Sequence, residues 1–164
     1  MDKSKQIVSQ IHDVVIESLN VMYDERGWLM EIMRLDNPIF NGFGQVYVTT
    51  AYPEVVKAWH LHRKQTDMVA CISGIMQLVL YDNREDSPTK GEVEEIFLGG
   101  ANQYIVKIPP NVFHGFKAIG TETAYFLNVT DKVYDYEMPD EYRVAADSDL
   151  VPFDWSFTPG KVNN

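Results

Sequence analysis

Short runs of β-branched, aromatic and aliphatic residues recur along this chain, each bounded by residues that turn the backbone. The runs are Val14–Ile16, Trp28–Met33, Phe43–Thr50, Val55–Leu61, Met68–Ser73, Ile75–Tyr81, Val93–Leu98, Tyr104–Ile108 and Thr123–Val129. Their length and residue types are those of strands. Between them lie Asp24–Gly27, Asn41–Gly42, Ser73–Gly74, Asp82–Gly91, Gly99–Gly100 and Gly120, where Gly, Asn and Asp permit tight turns. Roughly eight to ten strands at this spacing predict an all-β barrel of the jelly-roll type.

Helix is scarce in this reading. Lys5–His12 is expected to form one short helical turn or an ordered arm before the first strand. From Asp131 onward the composition changes: Tyr134, Tyr136, Pro139, Pro152 and Pro159 stand among acidic residues, which predicts an irregular segment wrapping the barrel. A length of 164 residues fits one domain over the whole chain. Trp28, Trp59 and Trp155 are expected in the core or at an interface, and Met22, Met30, Met33, Met68 and Met76 as barrel filling. Asp24–Gly27 reads as a hairpin turn, and Asp82, Arg84 and Asp86 as an exposed loop with local ion pairs.

Charge and cysteine usage narrow the partners. With 24 acidic against 14 basic residues, the net charge of −10 opposes nucleic acid. Cys71 is the only cysteine, so no internal disulfide or multi-thiolate metal site can form, and a reducing cytoplasm is the expected setting. The first twenty residues carry charges that interrupt any signal-peptide core, and nowhere do eighteen apolar residues run together. No membrane association is expected.

Against this background four residues stand out. His60 and His62 share one face of a strand, with Trp59 and Leu61 on the other. Asp67 follows, then Gly74. Together they resemble the first cupin motif, in which two histidines, a glutamate and a turn glycine recur at this spacing; here Asp stands for Glu. Pro109–His114 resembles the second cupin motif, with Asn111 in place of glycine, a residue that also tolerates positive φ. Inside one barrel, His60, His62, Asp67 and His114 would serve either as ligands for Fe(II), Mn(II), Ni(II) or Zn(II) or as a proton-transfer site.

A second resemblance covers nearly the whole chain. Asp24-Glu25-Arg26-Gly27-Trp28 through Glu31, Phe43-Gly44-Gln45, Lys57-Ala58-Trp59-His60, Asp82-Asn83-Arg84 with Ser87 to Gly91, Ile108-Pro109 through His114-Gly115-Phe116, and Thr130-Asp131 with Tyr134 follow one another in the order and at the separations of a known family. The chain resembles the dTDP-4-dehydrorhamnose 3,5-epimerases, cupin barrels that act on nucleotide sugars without a cofactor or metal.

This resemblance implies roles for individual residues. His60 matches the base that removes the proton α to a 4-keto group. Arg26, from a neighbouring subunit, and Lys57 match cations that hold the diphosphate. Gln45 and His114 match residues of the nucleotide-sugar pocket, Tyr47 falls where asparagine is common, and Glu31 and Asp82 lie in the matched substrate-contact stretches. The carboxylate orienting the base is expected from the C-terminal segment, at Asp147 or Asp149. A homodimer with exchanged N-terminal strands is implied, acting on a nucleotide-diphosphate sugar in deoxysugar, lipopolysaccharide or capsule assembly.

Two departures leave the chemistry open. Where the family carries a tyrosine acid, this chain has Leu127 or Asn128, and neither delivers a proton at a useful pKa. Tyr134, Tyr136, Tyr81 or water would have to replace it. Asp67 stands near the position of a family lysine, and His62 where glutamine is frequent. The readings are therefore a nucleotide-sugar epimerase, a metal-dependent cupin isomerase or oxygenase, and a non-catalytic sugar-binding cupin.

Overall fold

In the computed structural model, which describes residues 5–156, thirteen strands and no α-helix are present. They are β1 (Gln6–Ile7), β2 (Val15–Ser18), β3 (Val21–Asp24), β4 (Gly27–Met30), β5 (Gln45–Ala51), β6 (Val56–Leu61), β7 (Asp67–Ser73), β8 (Ile75–Asp82), β9 (Val93–Gly99), β10 (Tyr104–Ile108), β11 (Val112–Ala118), β12 (Ala124–Thr130) and β13 (Tyr142–Arg143). Six of them form one sheet in the order β1-β2-β10-β7-β12-β5, five another in the order β13-β6-β11-β8-β9, and β3 pairs with β4 as a separate hairpin. All pairings between these strands are antiparallel.

The two sheets face each other over an apolar core that includes Ile16, Val69, Leu78, Leu80, Leu98, Val106 and Phe126, with Phe116 and Phe126 stacked at a centroid distance of 4.8 Å. Each sheet is also covered on its outer face. Trp59, Leu61, Val79 and Phe113 on the five-stranded sheet pack against Val151 and Trp155 of the C-terminal segment, with Trp59 and Trp155 centroids 5.0 Å apart. On the six-stranded sheet, Met68, Ile105 and Val129 pack against Ile39. Burial of this kind contributes about 25 cal/mol per Å² of apolar area, so the tail is a structural layer despite its lack of regular secondary structure.

That wrapping layer agrees with the sequence reading, and so does the alternation at β6, where Trp59 and Leu61 enter the outer cluster. Other elements differ. Of the two expectations for Lys5–His12, no helical turn forms, and the segment is instead an ordered arm in which Gln6 and Ile7 pair with Glu17 and Ile16 at the sheet edge. The strand β11 was obscured by Pro110, Asn111, Gly115 and Lys117, none of them strand formers, yet it is held on both sides by β6 and β8. Asp82 is buried rather than exposed: Arg84, Ser87 and Thr89 all donate to its carboxylate. Met22, expected as barrel filling, lies exposed on the β3–β4 hairpin, and Trp28 beside it is outside the core, which leaves the interface alternative for it. Among the described residues no helix is long and apolar enough to cross a membrane.

Two backbone details set the positions of the histidines. Asn111 has φ of 65°, the left-handed conformation that its place in the motif requires, and its N–H donates to the carbonyl of His62. At Gly115 a Cβ would lie 2.5 Å from that of Ala58. Only glycine lets β11 approach β6 this closely, and the ladder shifts register there while keeping His114 opposite His60.

Candidate active site

A cavity of about 770 Å³ opens between the two sheets. His60 and His114 reach it from the five-stranded sheet and His62 from just past the end of β6; Gln45, Tyr47 and Asn128 reach it from the six-stranded sheet. Lys57, Tyr134, Tyr136, Glu141 and Arg143 add to its polar lining. The imidazoles form a stack, with centroids 6.0 Å apart for His60 and His114 and 5.5 Å for His62 and His114.

His60 is held by Glu141, whose Oε1 lies 2.9 Å from Nδ1. An ionised carboxylate only accepts, so Nδ1 carries the proton and Nε2 keeps its lone pair. Burial pushes the His60 pKa below the ordinary imidazole value, and the Glu141 charge opposes that shift. Burial alone would raise Glu141, but hydrogen bonds from Arg143 and His60 hold it below the usual carboxylate range. The pair is thus a neutral imidazole oriented by a charged acid, which is the form a base requires.

On the opposite wall, Asp67 organises a second network. Its Oδ1 accepts from the amides of Gln65 at 2.8 Å and Asn128 at 3.0 Å. The Asn128 amide also donates to the Tyr47 hydroxyl at 2.9 Å, so both its hydrogens are used and the phenolic proton is free to point to a ligand. Burial, followed by the Asp67 charge, pushes the Tyr47 pKa up to about 12, which keeps that proton in place. Burial likewise pushes His114 well below the ordinary imidazole value, against the pull of Asp67.

The structure gathers most of the residues singled out from sequence. His60, His62, His114, Gln45, Tyr47, Lys57, Asn128 and Tyr134 share the cavity. Gln45 Oε1 accepts from the backbone N–H of Tyr134, and Lys57 donates to Thr49 at 3.1 Å. Asp147 and Asp149 are exposed in the turn around Ser148, and the carboxylate beside His60 is Glu141 instead. Asp82 is tied to Arg84 at 2.9 Å away from this lining, and Glu31 to Arg34 at 3.1 Å. Arg26 sits at the tip of the β3–β4 hairpin against Asp24. Glu141 and Arg143 were not anticipated, because Arg143 lies in a strand of two residues, Glu141 lies just before it, and neither belongs to a hydrophobic pattern.

A closed pair of antiparallel sheets with a histidine-lined cavity between them defines a cupin barrel. The chain belongs to the dTDP-4-dehydrorhamnose 3,5-epimerase family, whose family model matches residues 8–163; this is a family of isomerases. It is 43% identical over 148 residues to "Probable low-salt glycan biosynthesis epimerase Agl13" of Haloferax volcanii, covering 89% of this chain and 95% of that protein. The "Spore coat polysaccharide biosynthesis protein SpsL" of Bacillus subtilis is 36% identical over 146 residues, covering 89% and 97%. Among solved structures, a dTDP sugar isomerase from Desulfovibrio desulfuricans G20 superposes with a TM-score of 0.88 at 33% identity, over 93% of this chain and 96% of that one.

Proposed function

We propose that the protein epimerises a nucleotide-linked 4-keto hexose for glycan or polysaccharide assembly, with His60 as base and Tyr47 as acid. The observation that carries this reading is the His60–Glu141 pair, which leaves a basic Nε2 at the cavity. His60 takes the proton from the carbon next to the ketone, the electron pair moves onto the carbonyl oxygen, and an enolate forms. Tyr47 then gives its proton to that carbon from the other side. The two residues stand on opposite sheets, so a sugar held between them is deprotonated on one face and reprotonated on the other, and the centre inverts. Asn128 positions the acid through its hydrogen bond to Tyr47. Lys57 and Arg143 supply positive charge to the diphosphate.

The names of the two relatives, a glycan biosynthesis epimerase and a spore coat polysaccharide biosynthesis protein, support the setting in glycan or cell-surface polysaccharide assembly. The single buried cysteine accords with a cytoplasmic location. We place the working form as a homodimer with exchanged N-terminal strands. Among the described residues the β3–β4 hairpin has no partner sheet, Trp28 and Leu29 on it are more than half exposed, and β5 ends the six-stranded sheet with Val46 and Val48 exposed. Such an edge is a template for added strands. A second copy docked there would carry Arg26 toward this cavity.

The reading is tested by incubating the protein with dTDP-, UDP- and GDP-linked 4-keto-6-deoxyhexoses in D₂O. Deuterium entry at C3 or C5, followed by NMR and lost in His60→Ala, is the expected result. No exchange and no nucleotide-sugar binding across the panel overturns it.

A further inference from the structure

We infer that His62, Asp67 and His114 form a binding site for one divalent first-row transition-metal ion, distinct from the His60–Glu141 pair. Nε2 of His62 and Nε2 of His114 lie 3.5 and 3.6 Å from the same oxygen, Oδ2 of Asp67, and the three atoms fall within 4.8 Å of one another. The side chains are only 12, 2 and 12% exposed for His62, Asp67 and His114.

The hydrogen-bond pattern shows what this convergence needs. Nδ1 of His62 faces the carbonyl of Asp140, and Nδ1 of His114 faces that of Val112 at 3.2 Å. A carbonyl only accepts, so each Nδ1 carries the ring proton and each Nε2 presents a lone pair. The other carboxylate oxygen, Oδ1, is already satisfied by Gln65 and Asn128. Two lone pairs and a carboxylate oxygen therefore meet with no donor among them. Their spacing is too long for charge-assisted hydrogen bonds, which run about 2.7–2.9 Å. The two histidine-to-carboxylate separations of 3.5 and 3.6 Å are close to those between ligand atoms around one ion, since bonds of about 2.0–2.2 Å in tetrahedral or octahedral geometry set neighbouring ligands about 3–3.5 Å apart, and a small inward movement of the rings would bring all three atoms onto one centre. Carbonyl-anchored imidazoles and a hydrogen-bonded carboxylate are also the outer support that such ligands usually have.

Two imidazoles and one carboxylate form the set that suits Fe(II), Mn(II), Co(II), Ni(II) or Zn(II) and leaves positions open. His60 is not part of it: its Nδ1 is engaged by Glu141, and it lies outside the converging cluster. The ligands come from both sheets, with Asp67 on β7 and His114 on β11, so a bound ion also ties the two walls together. On the epimerase reading, the open positions beside the cavity would receive the carbonyl oxygen that becomes the enolate.

The test is a titration of chelator-treated, desalted full-length protein with Co(II) and Zn(II). The expected results are retention of about one equivalent by elemental analysis, visible d–d absorption with Co(II), and a raised Tm with Zn(II). His62→Ala and Asp67→Asn, checked for native circular dichroism, should lose retention and absorption, while His60→Ala keeps both. Retention unchanged in folded His62→Ala, or absence of stoichiometric binding in the parent protein, overturns the inference. Because His60→Ala removes exchange and leaves ion binding, failure of the epimerase reading and failure of the metal site are separately visible.

Discussion

Glu141 Oε1 lies 2.9 Å from Nδ1 of His60, across 81 residues of chain, and among the described residues no other carboxylate hydrogen-bonds that ring. The contact fixes which nitrogen of the imidazole faces the cavity, and it sets the pH range in which that nitrogen is basic.

Glu141→Gln keeps an acceptor for Nδ1–H and removes the charge. Glu141 raises the His60 pKa against burial, so its neutralisation lowers that pKa further. The acid limb of kcat/KM, which requires neutral His60, therefore moves to lower pH, and kcat falls about 10- to 100-fold as the imidazolium loses its counter-charge. A pH–rate profile of the variant checks both effects. An unmoved acid limb would show that Glu141 does not govern the base.

Tyr47→Phe removes the phenolic proton while preserving the ring. Deuterium exchange should survive, because His60 can return a proton to the face from which it came. Inversion should fall about 100-fold or more. NMR of the recovered sugar distinguishes exchange with retention from epimer formation. Equal loss of both would place Tyr47 in binding rather than proton delivery, and the same measurement on Tyr134→Phe should leave inversion largely intact.

Asp82 tests the scaffold. Burial would raise its pKa, but Arg84, Ser87 and Thr89 hold it far below the usual carboxylate range. A depressed folded value means its stabilisation is present above the unfolded pKa, about 3.9, and is lost as pH falls below it. Asp82→Asn should cost about 2–4 kcal/mol near neutral pH, where it leaves Arg84 poorly paired, and should flatten the loss of stability between neutral pH and acid. Urea melts at pH 7 and pH 3 measure the difference.

Val48→Glu places a charge on the exposed edge of β5. A parent protein that elutes as a dimer should become monomeric, as light scattering after size exclusion would show. Nucleotide-sugar affinity should drop with it if Arg26 reaches the neighbouring cavity.

Much of the barrel was legible from the chain because alternation and turn residues are local signals. Of the runs that became β5 to β10 and β12, all but β6 are bounded on at least one side by a Gly, Asn or Asp turn. His60 and His62 could be assigned one face for the same reason, and Asn111 has the positive φ that its place in the motif anticipated. What local pattern does not carry is pairing at a distance. Glu141 reaches His60 because β13 adds to the edge of β6, where Arg143 opposes His60, and two residues are too few to show any period. Asp147 and Asp149 sit near Glu141 in sequence, but the turn at Ser148 leaves both in solvent. The burial of Asp82 follows from a loop folding back on itself, which composition reads as exposure.

The C-terminal segment that packs Val151 and Trp155 on Trp59 is continuous with the strand that follows Glu141. A single stretch of chain thus seals the outside of one sheet and carries the carboxylate that orients His60 within. Peeling this stretch off the sheet would bare Trp59 and release His60 from Glu141 in the same movement, so the outer packing and the orientation of the imidazole would be lost together.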